Sequence, residues 1–116
     1  MLGLKPGCGG LDRPSDVREL ELLVDTGLVY TVLPSKLLRE LGVNPIGVRR
    51  FRLVDGRVIE RDLGIVSIEV HGIKAYTIAV FGDEGIYLLG STMLEELGLE
   101  VDTVNKTLKP TELPLM

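Results

Sequence analysis

Asp25-Thr26-Gly27 follows the apolar run Leu22-Leu23-Val24, which puts a carboxylate at the end of a buried strand. That location is costly unless neighbours hydrogen-bond the carboxylate or it shares a proton. Thr26 offers a hydroxyl that can anchor the turn, and Gly27 lets another backbone approach closely. Taken alone, the triplet is better explained by an Asp closing its own turn through a side-chain hydrogen bond. Other chemistry-bearing residues are sparse. His71 is the sole histidine; it has no acid or nucleophile at a readable spacing, so a surface histidine is the plainer reading than a Ser–His or Cys–His mechanism. Cys8 is the sole cysteine, which excludes an intramolecular disulfide. No cluster of His, Cys and carboxylates suggests a metal, and no cofactor is expected. Asp55 heads a hairpin, and Asp102 lies in Asp-Thr-Val without the Gly. Asp12, Asp16, Asp62 and Asp83 sit in polar stretches, so none duplicates Asp25.

The elements that must position Asp25 follow from periodicity and turn signals. Residues 1–16 carry no period and are expected to be irregular. Val17 to Val24 alternates like a strand with Leu20, Leu22 and Val24 on one face. Leu28 to Leu33 reads as a second short strand. Pro34 then opens a helix with Leu37, Leu38 and Leu41 as its buried stripe, and Gly42 ends it. Arg49 to Val54 and Arg57 to Arg61 flank Asp55-Gly56 as a two-residue hairpin. His71-Gly72 joins Ile65 to Val70 with Ile73 to Val80. Gly82 to Gly85 is a polar turn before a buried strand, Ile86 to Leu89. A second helix after Gly90 is expected to start with a capping box of Thr92 and Glu95 and to stop at Gly98. Leu99 to Val101 and Thr107 to Lys109 are closing strands, and residues 110–116 are a tail.

The chain also repeats itself. Ser35-Lys36-Leu37-Leu38-Arg39-Glu40-Leu41-Gly42-Val43 aligns with Ser91-Thr92-Met93-Leu94-Glu95-Glu96-Leu97-Gly98-Leu99. Any amphipathic helix ending in Gly shares part of this pattern. A strand-turn around Gly27 or Gly90 precedes each copy, however, which favours a two-fold duplication. The first turn carries an Asp and the second does not.

With both turns in view, Leu23-Val24-Asp25-Thr26-Gly27-Leu28-Val29-Tyr30-Thr31-Val32-Leu33 resembles the active-site segment of retroviral-type (retropepsin-like) aspartic proteases. Leu88-Leu89-Gly90-Ser91-Thr92-Met93-Leu94-Glu95-Glu96-Leu97-Gly98 resembles that family's apolar-apolar-Gly turn and following helix. The resemblance covers about residues 17–109. It is closest to cellular, prokaryotic-type single-domain members, which have a helix after the first turn.

The resemblance implies a mainly β fold, a small closed acid-protease barrel with one or two short helices, paired as a homodimer about a two-fold axis. It implies a homodimeric aspartic endopeptidase acting on peptide or protein substrates, with the Asp25 carboxylates of two subunits facing each other. Asp25, Thr26 and Gly27 would be the catalytic turn. Thr26 would bond across the axis, and Gly27 would offer its carbonyl to an extended peptide. Thr31 and Thr92 would form a polar pair joining the first turn to the second helix. Val54, Asp55 and Gly56 would belong to a flap closing over substrate by strand addition. Leu28, Val32, Val54 and Ile86 would line the cleft, which favours apolar side chains beside the cut. Retroviral members carry an acid two positions after the first Gly and a base after the second. Here those positions are Val29 and Ser91, so dimer contacts must come from elsewhere. Leu28 replaces a small residue and narrows the cleft.

Composition agrees with this reading and limits its rivals. One hundred and sixteen residues fit one small domain, which gains from burying more surface against a partner. The chain has a net charge of −4, with 45% hydrophobic and 26% charged residues and no Trp, so its core must be Leu, Val and Ile. Arg49, Arg50 and Arg52 lie in an alternating strand and read as a solvated face; no nucleic-acid partner is expected. No apolar run approaches the ~20 residues that span a bilayer, and no signal-peptide core is present; no membrane partner is expected, and the cytoplasm is the expected location. Two rival functions remain. One is a catalytically inactive dimer that binds peptides or scaffolds an assembly. The other is a sugar- or nucleotide-kinase-type phosphate loop, disfavoured by length and by the absence of a P-loop.

Overall fold

The computed structural model describes residues 2–4, 7–10, 17–105, 107–112 and 115. In chain order its elements are β1 (Leu2–Leu4), β2 (Gly7–Gly10), β3 (Val17–Glu19), β4 (Leu22–Val24), β5 (Thr31–Pro34) and helix α1 (Ser35–Glu40). They continue with β6 (Gly47–Arg52), β7 (Val58–Val70), β8 (Ile73–Gly82), β9 (Leu88–Leu89), helix α2 (Ser91–Leu97), β10 (Leu99–Asp102) and β11 (Thr107–Pro110). The expected β-rich class with two short helices is what forms. One nine-stranded sheet runs β1-β4-β9-β5-β8-β7-β2-β3, with β6 also paired to β7, and it curls into a half-barrel. The closing strands β10 and β11 pair with each other as a separate ribbon.

Burial explains the curl. Leu22, Leu33, Leu38, Leu41, Ile68, Leu89 and Met93 are completely buried, each contributing roughly 1.5–3 kcal/mol. The duplicated helices both pack on β5 and β8 and bury matching stripes. Leu37, Leu38, Leu41 and Val43 are buried after the first turn, and Met93, Leu94, Leu97 and Leu99 after the second. Both helices end on a glycine in the left-handed region, Gly42 (φ 78°) and Gly98 (φ 69°), as the sequence predicts.

Three local expectations are corrected. Residues 2–4 and 7–10 are strands, not irregular chain: β1 pairs with β4, and β2 lies between β7 and β3. Their sequence hides this because β2 is Gly-Cys-Gly-Gly. A Cβ at Gly10 would lie 2.7 Å from the Leu41 carbonyl oxygen, so close packing excludes the side chains that would have shown a period. The predicted strand Val17 to Val24 divides into β3 and β4 and changes neighbours between them. The two segments Arg57–Arg61 and Ile65–Val70 instead form one strand, β7, running through Gly64. Residues 11–16, including Asp12 and Asp16, and Pro114 of the tail lie outside the described residues. Among the described residues no helix is long and apolar enough to cross a membrane.

Two tests follow from this packing. A Cβ at Gly64 would lie 2.5 Å from Val43 Cγ1 and 3.0 Å from Phe81 Cε1. Gly64→Ala should therefore cost about 1–3 kcal/mol by urea unfolding, and adding Val43→Ala should recover part of the loss. Cys8 is fully buried and unpaired, and burial pushes its thiol up to about 12. The thiol should resist an aromatic disulfide reagent until the protein is denatured. Because its folded value is raised, its contribution to stability should be complete below the ordinary thiol value of about 8.5 and decline as pH rises towards the folded value.

Candidate active site

Strands β4 and β9 run parallel, with Leu23 opposite Leu88 and Val24 opposite Leu89. The Asp25 N–H continues the ladder by donating to the Leu89 carbonyl at 2.9 Å. Leu22 and Val24 face the core, so the chain leaves it at Asp25, which is half-buried, and passes through exposed Thr26 and Gly27. The Gly27 N–H donates to Asp25 Oδ1 at 3.0 Å, and the Leu28 N–H donates to the Asp25 carbonyl at 3.2 Å. The side-chain turn available to any Asp is thus present. It uses one carboxylate oxygen; among the described residues Oδ2 accepts no hydrogen bond. One oxygen is fixed and the other is free to work.

The second signature segment holds this turn from behind. The carbonyls of Leu28 and Val29 accept from the N–H groups of Ser91 (2.7 Å) and Thr92 (3.1 Å). Thr31, fully buried, accepts the Gly90 N–H on Oγ1 at 3.2 Å. A Cβ at Gly90 would sit 2.5 Å from the Tyr30 carbonyl carbon, so only glycine permits the crossing. These contacts correct the predicted capping box. The cap is Gly90 with no side-chain bond; the Thr92 N–H, which Glu95 would have bonded in a capping box, is already taken by the Val29 carbonyl of the first turn. Thr31 joins the two segments through its side chain and Thr92 through its backbone.

A cleft of about 580 Å³ opens beside the turn, with Gly27, Leu28, Val32 and Ile86 on its wall. Of the predicted substrate contacts, Gly27, Leu28 and Ile86 are brought together there. Val54, Asp55 and Gly56 are not; they form the exposed tip of the β6–β7 hairpin. That tip has a three-residue loop, not two. Gly56 N–H donates to the Leu53 carbonyl at 2.9 Å, and Leu53 N–H donates to that of Arg57 at 2.8 Å. The left-handed residue, Gly56 (φ 89°), then occupies the third loop position. Asp55 is tied to this loop, with Oδ1 accepting the Arg57 N–H at 3.0 Å and Oδ2 paired with Arg57 Nε at 2.7 Å.

The hairpin reaches the cleft with residues the sequence reading assigned elsewhere. Arg49 is not part of a purely solvated face. It lines the cleft, donating from Nη1 to the Tyr30 hydroxyl at 3.0 Å, with its guanidinium 5.7 Å from the ring centroid. Phe51 meets the same ring edge-on at 6.3 Å. Tyr30, Phe51 and Ile59 line the cleft and were also missed. Strand alternation was the available signal, since Arg49 and Phe51 share a face.

Two of the other aspartates are engaged in contacts of their own. Asp83 pairs with Arg61 at 3.5 Å. Asp102 closes its own turn, where the Asn105 backbone N–H holds its carboxyl below the usual value. Among the described residues no group of three His, Cys, Asp or Glu could hold a metal. An aspartyl protease family model matches residues 14–93, spanning both the Asp25 turn and the start of α2.

The chain belongs to the aspartyl protease family.

The fold agrees. The protease of simian foamy virus (mac) superposes with a TM-score of 0.60 at 17% identity, covering 80% of this chain and 91% of that one. The EIAV protease, solved with an inhibitor, gives 0.60 at 21% identity, covering 86% and 90%. These likenesses establish a retroviral-protease fold. No curated protein matches the sequence significantly.

The lock between the two segments predicts a specific hierarchy of stability. Thr31→Val should leave the buried Gly90 N–H without its acceptor and cost about 1–3 kcal/mol in urea unfolding. Thr31→Ser should restore most of that loss. Gly90→Ala should be worse than either, since the colliding atoms are backbone.

Proposed function

We propose that this aspartyl protease family member is a homodimeric endopeptidase whose water is activated by two Asp25 carboxylates, one from each subunit. The observation that carries the reading is the state of Asp25: half-buried, fixed through one oxygen and open at the other, in a chain whose second turn, Leu88-Leu89-Gly90, carries no acid. A second copy supplies the missing acid most simply through a two-fold axis. Exposed Leu23 (41%) and Val29 (60%) flank the turn and give that copy apolar surface to cover.

In the dimer the two carboxylates share one proton, because close like charges resist double ionisation. The ionised one takes a proton from the water as its oxygen attacks the peptide carbonyl carbon. The protonated one donates to the carbonyl oxygen as charge develops there. Collapse of the tetrahedral intermediate returns a proton to the amide nitrogen as the C–N bond breaks. Thr26 stiffens the paired turns, the Gly27 carbonyl aligns an extended peptide, and the Val54–Gly56 tip closes over it. The cytoplasm is the proposed setting; the single buried thiol requires no oxidising compartment.

A dimer that binds peptides without cutting them is the second reading, favoured by the uncharged residues Val29 and Ser91 where retroviral members pair charges. A peptide library incubated between about pH 4 and 7 separates the two. The wild type should cut with a bell-shaped profile. Asp25→Asn should lose at least roughly 100- to 10,000-fold, and adding it in excess should poison the wild type by forming one-carboxylate dimers. Binding without cleavage by both proteins would establish the second reading.

A further inference from the structure

The β6–β7 hairpin and its ladder, residues 47–63, hold five arginines against three acids in a chain whose net charge is −4. Two of the five, Arg49 and Arg61, are directly opposite in the antiparallel register and both line the cleft. Like charges at opposed positions repel. Arg61 is compensated by Asp83 at 3.5 Å. Arg49 is not: among the described residues no carboxylate pairs with it, and its contacts are the ring and hydroxyl of Tyr30. The Tyr30 oxygen accepts a hydrogen bond from Arg49, which leaves the hydroxyl's own hydrogen available. Four further guanidinium N–H donors remain on Arg49. A guanidinium fork beside a hydroxyl donor matches a carboxylate, which takes two parallel N–H bonds and a third from the side.

We propose that Arg49 and Tyr30 form a subsite for an acidic side chain, so that the cleft selects peptides bearing Glu or Asp next to the bond. This deepens the endopeptidase reading and rests on it. It also amends the expectation of apolar flanking residues. Leu28, Val32 and Ile86 supply an apolar wall, and the hairpin sets a cationic group across from it. An arriving carboxylate completes Arg49 and relieves its repulsion with Arg61.

The test uses two peptides identical except for Glu or Gln at one position flanking the cut, moved stepwise along each side. Cleavage is measured with wild type, Arg49→Gln and Arg49→Lys. At one position the wild type should prefer Glu by roughly 10- to 100-fold in kcat/KM, as a charge-assisted hydrogen bond allows. The preference should reside mainly in KM, weaken with salt, collapse towards unity in Arg49→Gln and partly return in Arg49→Lys. Cleavage with no Glu preference at any position, or a preference that Arg49→Gln leaves intact, would overturn the subsite while leaving the peptidase standing. Binding of the same peptides to Asp25→Asn, followed by fluorescence anisotropy, separates the two claims. If nothing is cut but Glu peptides still bind more tightly through Arg49, the subsite holds and the activity fails. Sedimentation of Arg49→Gln covers the remaining case: loss of the dimer would show that a partner chain, not substrate, completes Arg49, and would also overturn the proposal.

Discussion

The crossing of the Asp25 loop over Gly90 is the constraint on which the rest of the site depends. An α-helix begins with N–H groups that its own turns cannot satisfy, and α2 begins directly after the buried residues Leu89 and Gly90. Its first donors are taken by the carbonyls of Leu28 and Val29, and the Gly90 N–H by Thr31. The same bonds fix the loop that carries Asp25. Helix capping and carboxylate placement are therefore one set of interactions, and a change in either segment disturbs both.

The duplication makes this arrangement possible. Two strand-turn-helix units bury equivalent leucines and end on equivalent glycines, so their turns approach each other within one chain. Yet only the first carries an acid. A single chain thus builds two turns while supplying one acid. Under the proposed function, a second copy would supply the other and so have a chemical role beyond added burial.

The β6–β7 hairpin has a different physical character. Its tip is solvent-exposed and held by local bonds at Asp55 and Gly56, whereas its stem lays Arg49 and Phe51 against Tyr30. The stem is thus anchored on an aromatic ring while the tip stands apart from the cleft, and Arg49 and Arg61 of the stem place charge on the cleft wall.

By itself the sequence determined the β-rich class, both helices with their glycine ends, the duplication and the exceptional position of Asp25. These rest on local signals: alternation, capping glycines and an acid ending an apolar run. Strand β2 was illegible because close backbone packing removed the side chains that alternate. The capping of α2 was misread because its acceptors come from a loop some sixty residues earlier. Arg49 was taken as solvated because a strand's pattern shows which residues share a face but not what that face meets. Those features became decidable only when the curled sheet placed Tyr30, Gly90 and the hairpin side by side, since contact between distant segments is set by packing and leaves no local periodicity to read.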